Sequence, residues 1–294
     1  MESNPRVPFQ LSSQRRKLAP PDGKPLIVHV VVNVEHWQFD QPMPRMIMTP
    51  PQGRAQIPDI PNFSWSEYGN RCGMPRLLKM LADRTILATA SVNAGIIDVY
   101  PDLAKAILDA GWEFMGHGIH QRAVGGEDDE AAQIELALDT ISEFTGARPR
   151  GWLGPGLSET FETPDLLKAA GIEYVCEWVI DDLPCWLTTV NGPMIAMPYN
   201  LELNDSVVYA VEKHSSPEML RRVEETVKIF EAEIAETGEP RILTLPMHPH
   251  LSGVPHRAGY VARILDLLQG RDDTVFMTGG QIADWFVAED AKTP

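Results

Sequence analysis

Residues 114–122 read FMGHGIHQR, and the reading of this stretch decides the fold. A short apolar strand, Trp112 to Met115, runs into Gly116; His117 and His120 follow, with Gly118 between them. A strand that ends in glycine and then presents imidazoles is how α/β proteins place chemistry at the carboxyl edge of a sheet. Five other stretches read as loops converging on the same edge: NVEH (33–36), WLGPG (152–156), IDDLP (180–184), YNLELND (199–205) and MHPHLSGVPHR (247–257).

Outward from this stretch the chain alternates strand and helix. Leu26 to Val34, LIVHVVVNV, is β-branched and nearly continuous, the mark of a strand buried on both faces. Strands are predicted over Thr85–Ser91, Trp112–Met115, Arg150–Leu153, Ile172–Cys176, Met194–Pro198, Arg241–Leu245 and Thr274–Met277. Helices between them carry apolar stripes and stop or start signals, such as Gly146 after Phe144 and Ser216-Pro217 ahead of Leu220, Val223 and Val227. Seven or eight such strands with no linker predict one α/β domain with a parallel sheet in a closed or nearly closed barrel. Residues 1–25 read as an arm ordered only by docking, and residues 26–290 as the barrel domain. The segment 36–72 holds six prolines and several aromatics and predicts a lid or an oligomer contact.

Composition narrows the function. Hydrophobic residues make up 44% and charged residues 22%, as in ordinary globular proteins. The formal net charge of −16 makes nucleic acid and anionic membrane poor partners. The longest apolar run is too short to span a bilayer. The first twenty residues lack the apolar run of a secretory signal, and Cys72, Cys176 and Cys185 are spaced for neither zinc nor disulfides. The expectation is a cytoplasmic protein with reduced thiols, acting on a small molecule.

Six of the eight histidines (His36, His117, His120, His248, His250 and His256) fall just after predicted strands. Asn33 and Glu35 are two apart and share a side of the first strand, so Glu35 is a candidate metal ligand or general base. Asp181 and Asp182 are a carboxylate pair able to divide acid and base roles, or plain turn residues ahead of Pro184. In WLGPG, Trp152, Gly154 and Pro155 could let a ligand approach the backbone closely. Asn204 offers an amide and Arg257 a guanidinium from the later loops. His248, beside its strand end, is the candidate general acid for a leaving nitrogen.

In their order these motifs resemble the polysaccharide deacetylase superfamily, the NodB-like carbohydrate esterases of family 4. Within it they resemble the branch that holds metal-independent allantoinase and cyclic imide hydrolases. NVE, EYGNRCGMPRLLK, GHG, DDLPCW, PYNLELND and HPHLSGVPHR carry the resemblance, over about residues 26–288. It implies a distorted (β/α) barrel of about seven parallel strands and hydrolysis of a non-peptide carbon–nitrogen bond. It further implies a homo-oligomer, dimer or tetramer, and adds Trp186 of DDLPCW to the substrate-binding candidates. Metal-dependent members hold a divalent ion with a carboxylate and an H-x-x-x-H pair. Carried over, the carboxylate is Glu35 and the first histidine His117, while Gln121 stands where the second belongs. A single zinc held by Glu35, His117 and His120 is one expectation; a carboxylate base without metal is the other. Three functions stay open: hydrolysis of a cyclic amide, imide or ureide; deacetylation of an N-acetyl sugar or polysaccharide; and binding without catalysis.

Overall fold

The computed structural model describes residues 3–49, 55–123 and 129–292. β1 (Leu26–Val34), buried along its whole length, is the central strand. On one side it pairs in parallel with β8 (Arg241–Met247), from Leu26↔Arg241 to Val32↔Met247. On the other side its upper half pairs with β2 (Thr89–Val92) and its lower half with β9 (Thr274–Phe276). From β2 the parallel sheet continues through β3 (Glu113–Gly116), β4 (Gly151–Trp152), β5 (Tyr174–Val175) and β7 (Gly192–Ala196). The last strand, β6 (Cys185–Thr189), runs antiparallel to β7. The strand order β6-β7-β5-β4-β3-β2-β1-β8 is an open path. The sheet is a curled, mostly parallel half-barrel, in keeping with the distorted barrel of about seven parallel strands expected from the sequence. The antiparallel hairpin was not expected.

Helices cover the outer face. α2 (Met74–Ala82), α3 (Pro101–Asp109), α4 (Glu130–Thr145), α5 (Glu218–Thr237) and α6 (Pro255–Gln269) bury one stripe each, including Leu77, Ile107, Leu138, Val223 and Leu265. Between β1 and α2 the chain is less irregular than its prolines imply. α1 (Ile60–Tyr68) is capped by Asp59, whose carboxylate accepts the Asn62 N–H, and runs into a wider turn over Gly69–Gly73. Gly69 and Gly73 are required there: a Cβ on either would overlap the backbone of Pro249 or His250. Residues 50–54 of this segment lie outside the described residues. The N-terminal arm is docked, with Val7 and Leu18 buried and Arg6 forming a two-pronged ion pair with Asp165 (2.8 Å at its closest). Among the described residues no helix is long and apolar enough to cross a membrane.

Candidate active site

Three parallel strand ends and one later turn bring the chemistry together. Glu35 follows β1, His117 follows β3, and His248 follows β8. All three are buried, at 7%, 2% and 7% exposure. Asp205 enters from the stretch after β7 and is fully buried. The His248 Nδ1–H donates to Asp205 Oδ1 at 2.6 Å, and Nε2 stands 3.4 Å from Glu35 Oε1. Asp205 Oδ2 accepts from the His248 backbone N–H (2.7 Å) and from Ser252 Oγ (2.6 Å). Trp37 Nε1–H donates to Glu35 Oε2 at 2.7 Å. Aspartate, imidazole and glutamate thus form one line.

The electrostatics follow from that line. Burial opposes the charge on His248, but Asp205 and Glu35 on either side outweigh it and raise its pKa to about 9. Burial likewise pushes Glu35 up, yet the neighbouring histidines, His248 first, prevail and hold it well below the usual carboxylate range. For His250 burial prevails over the pull of Glu35 and lowers its pKa to about 4. His117 is also lowered by burial, against the pull of Glu35. Its Nδ1 bonds to the Leu153 carbonyl, an acceptor only, so Nδ1 carries the proton. Nε2 of the neutral ring is then a bare lone pair, buried and without a hydrogen-bond partner. The Gly118 backbone, at φ +67°, makes the left-handed turn that returns the chain beyond His117.

A cavity of ≈ 550 Å³ opens on this line, with Glu35, His248, His250, Gln121, Pro155 and Ser158 among its walls. Its roof comes from the segment after β1, through Trp37, Gln41, Pro42, Pro44 and Arg45.

Several expected members lie elsewhere. Asp181 and Asp182 do not reach the pocket. Asp181 pairs with Arg15 of the arm, and the Asp182 carbonyl accepts the Ile242 N–H (3.1 Å) at the start of β8. His248 lies six residues further along β8, so Asp182 is about 20 Å away, at the amino edge of the sheet. The chain after β5 doubles back instead of ending at the carboxyl edge. Trp186 goes with it and donates to Asp290 (3.1 Å). Trp152 is fully buried in the core, its ring filling the space that a Cβ on Gly116 would take. Gly154 gives its N–H to Glu177. Asn204 accepts the Ser206 N–H (2.9 Å) and so shapes the turn that carries Asp205. Arg257 stacks on Tyr209, 4.1 Å from the ring centre. Asn33 donates to the Tyr199 hydroxyl (2.9 Å), below Glu35.

The zinc set does not form. His120 faces His36, Nδ1 to Nδ1 at 3.0 Å, and Gln121 stands beside His117 at the pocket wall. Among the described residues no three His, Cys, Asp or Glu side chains come together as a metal-holding group.

The curled, mostly parallel sheet with histidines at its strand ends is similar to the fold of polysaccharide deacetylases (NodB-like). Residues 65–175 match the polysaccharide deacetylase family model. Among solved structures, the chain is similar to PuuE allantoinase (24% identity, TM-score 0.84, covering 96% of both chains). It is also similar to a probable polysaccharide deacetylase from Pseudomonas aeruginosa PAO1 (25% identity, TM-score 0.79, covering 92% of this chain and 93% of that one). A peptidoglycan deacetylase from Helicobacter pylori is 26% identical over 155 residues, so the match spans about half (52%) of each chain.

Proposed function

We propose that this chain hydrolyses a carbon–nitrogen bond in a small cyclic amide, imide or ureide, by acid–base catalysis from its own side chains. The observation that supports this best is the Asp205–His248–Glu35 line at the cavity wall. Glu35 is the base that takes a proton from the attacking water. His248, kept protonated by Asp205, gives a proton to the leaving nitrogen as the bond breaks. His117 accepts a hydrogen bond through its bare Nε2 and fixes the water or the ring N–H. His120 is turned toward His36, and His248, the imidazole beside Glu35, is held by Asp205 and kept protonated, so this donor set does not suit zinc and every step is assigned to these residues.

The roof over the cavity favours a small ring over a polymer strand, which needs an open groove. The whole-length likeness to an allantoinase supports the same reading. The match to deacetylases supports a second reading, removal of acetyl from an amino sugar. Assay of ring opening on hydantoins and cyclic imides, beside acetate release from chitin oligomers, tests the two: ring opening without acetate release is expected, and the reverse would sink the first reading. Exposed Met46, Ile47, Met48, Ile57 and Ile60 around the roof segment favour a homo-oligomer, which light scattering checks.

A further inference from the structure

Two cations line the cavity, and among the described residues neither is paired with a carboxylate. Most arginines elsewhere in this acid-rich chain sit on carboxylates within 4 Å, such as Arg6 on Asp165, Arg84 on Asp266, Arg150 on Asp284, Arg222 on Glu218 and Arg241 on Glu233, while Arg76, Arg257 and Arg263 rest on tyrosine rings and backbone carbonyls outside the cavity. Arg45, half-buried in the roof, instead donates to the Ser206 hydroxyl, next to Asp205. Arg122, at the rim, donates to the side-chain oxygens of Gln38 and Gln41 (3.2 Å each). Among the described residues neither guanidinium has a carboxylate partner. The formal net charge of −16 repels an anion approaching from solvent. A pocket built for a neutral ring has no use for two guanidiniums at its mouth that no described carboxylate meets, and their hydration is lost when a neutral ligand fills it.

We infer that the substrate carries a carboxylate on its ring, held by Arg45 and Arg122 while the scissile bond lies over Glu35 and His248. This rests on the proposed ring-opening activity and names its substrate class. A planar guanidinium matches a carboxylate with two parallel hydrogen bonds, so it orients as well as attracts. Arg45 is tied to Ser206 and Arg122 to the roof segment, so an anion between them also draws the roof onto the substrate. Gln41 and Gln121, which share the cavity wall, add amide groups suited to the ring's own N–H and C=O.

The test compares hydantoin-5-acetic acid with its primary amide, hydantoin-5-acetamide, which differs only in charge. The wild-type protein is expected to open the acid about 10- to 100-fold more efficiently in kcat/KM, mostly through KM, with the advantage shrinking as salt rises. In Arg45→Ala and in Arg122→Gln that ratio should fall toward one. Arg122 is exposed, so its variant keeps the test intact where Arg45→Ala fails to fold. Opening of acid and amide alike by the wild type, or an unchanged ratio in both variants, overturns the carboxylate inference and leaves ring opening standing. No opening of either hydantoin, with acetate released from chitin oligomers, overturns both.

Discussion

At the carboxyl edge of the sheet a buried Glu35 and Asp205 flank His248 and face a cavity; at the amino edge Asp181 meets Arg15, with Glu239 3.8 Å from the same guanidinium. The two clusters use similar groups at similar depth. They differ in what can move its proton. The amino-edge cation is an arginine, which stays charged across the working pH range, so the cluster can only fasten the arm to the barrel. The carboxyl-edge cation is an imidazole held near pH 9, with a carboxylate on each side and open volume in front. A pair of acidic residues is therefore no sign of catalysis by itself. Its strand end and the titration range of its partner decide.

The sharpest way to break this contrast is to neutralise one carboxylate at each end. Glu35→Gln should lower kcat by about 10⁴-fold, the upper range for a general base, with the fold kept because His248 still has Asp205. Circular dichroism and steady-state kinetics on the same sample check this. A Glu35→Gln protein within tenfold of wild type would end the assignment of Glu35 as base.

Asp205→Asn comes next, at about 100-fold in kcat, the lower range for a positioned acid, and it sharpens the comparison through pH. His248 is raised above its unfolded value, so its charge and its contribution to stability are fully present below about 6.5 and lost as pH rises through about 9. Activity that needs the imidazolium falls on the same alkaline limb. Glu35 is depressed, so its contribution holds above its unfolded value and fades only in acid. Removing the Asp205 charge should move the alkaline limb from about 9 toward the ordinary histidine range, read from kcat/KM against pH. A limb that stays near 9 in Asp205→Asn would separate His248 from that titration.

How much of this was legible in the sequence depends on how locally each feature is encoded. β1 is written in nine consecutive buried residues, and Glu35, His117 and His248 each follow a strand directly, so their edge could be read. Asp205 could not: it meets His248 across 43 residues, and nothing in YNLELND marks its last residue over its neighbours. The places of His250 and Trp37 are not marked locally either, because their packing beside His248 and Glu35 is tertiary. The misplacement of Asp181 and Asp182 has a plain cause. β5 is two residues long, and the loop after it leads into the β6–β7 hairpin, not to the pocket. Asn191-Gly192, a turn signal between two short runs, was the clue to that hairpin.

The amino edge gives the third prediction, smaller and of another kind. Asp181→Asn should leave kcat within about threefold while lowering Tm by about 2–6 °C, since it strands a largely buried Arg15. Thermal unfolding beside a rate measurement reads both. A collapse of activity without loss of stability would return the DDLP loop to the mechanism.

The smallest effect expected is that of a chelator. Zinc at this edge needs three donors around an open position, and Glu35 and His117 supply two. The third candidate, His120, is engaged with His36 on the far side of Gly95, whose missing Cβ leaves room for both rings. Bringing His120 to Glu35 would break that contact and rebuild the Gly118 turn. Gln121 stands beside His117 instead, and an amide oxygen is a weak zinc ligand. His248 is committed through Nδ1 to Asp205 and carries a proton at working pH, so a metal would have to displace that proton from Nε2. Dialysis against EDTA, followed by elemental analysis and assay, should therefore change kcat by less than about twofold, because general acid–base chemistry is independent of the metal supply. Loss of activity on chelation, restored by added zinc, would show that the ligand turn rearranges, and would make the carboxyl edge a metal centre after all.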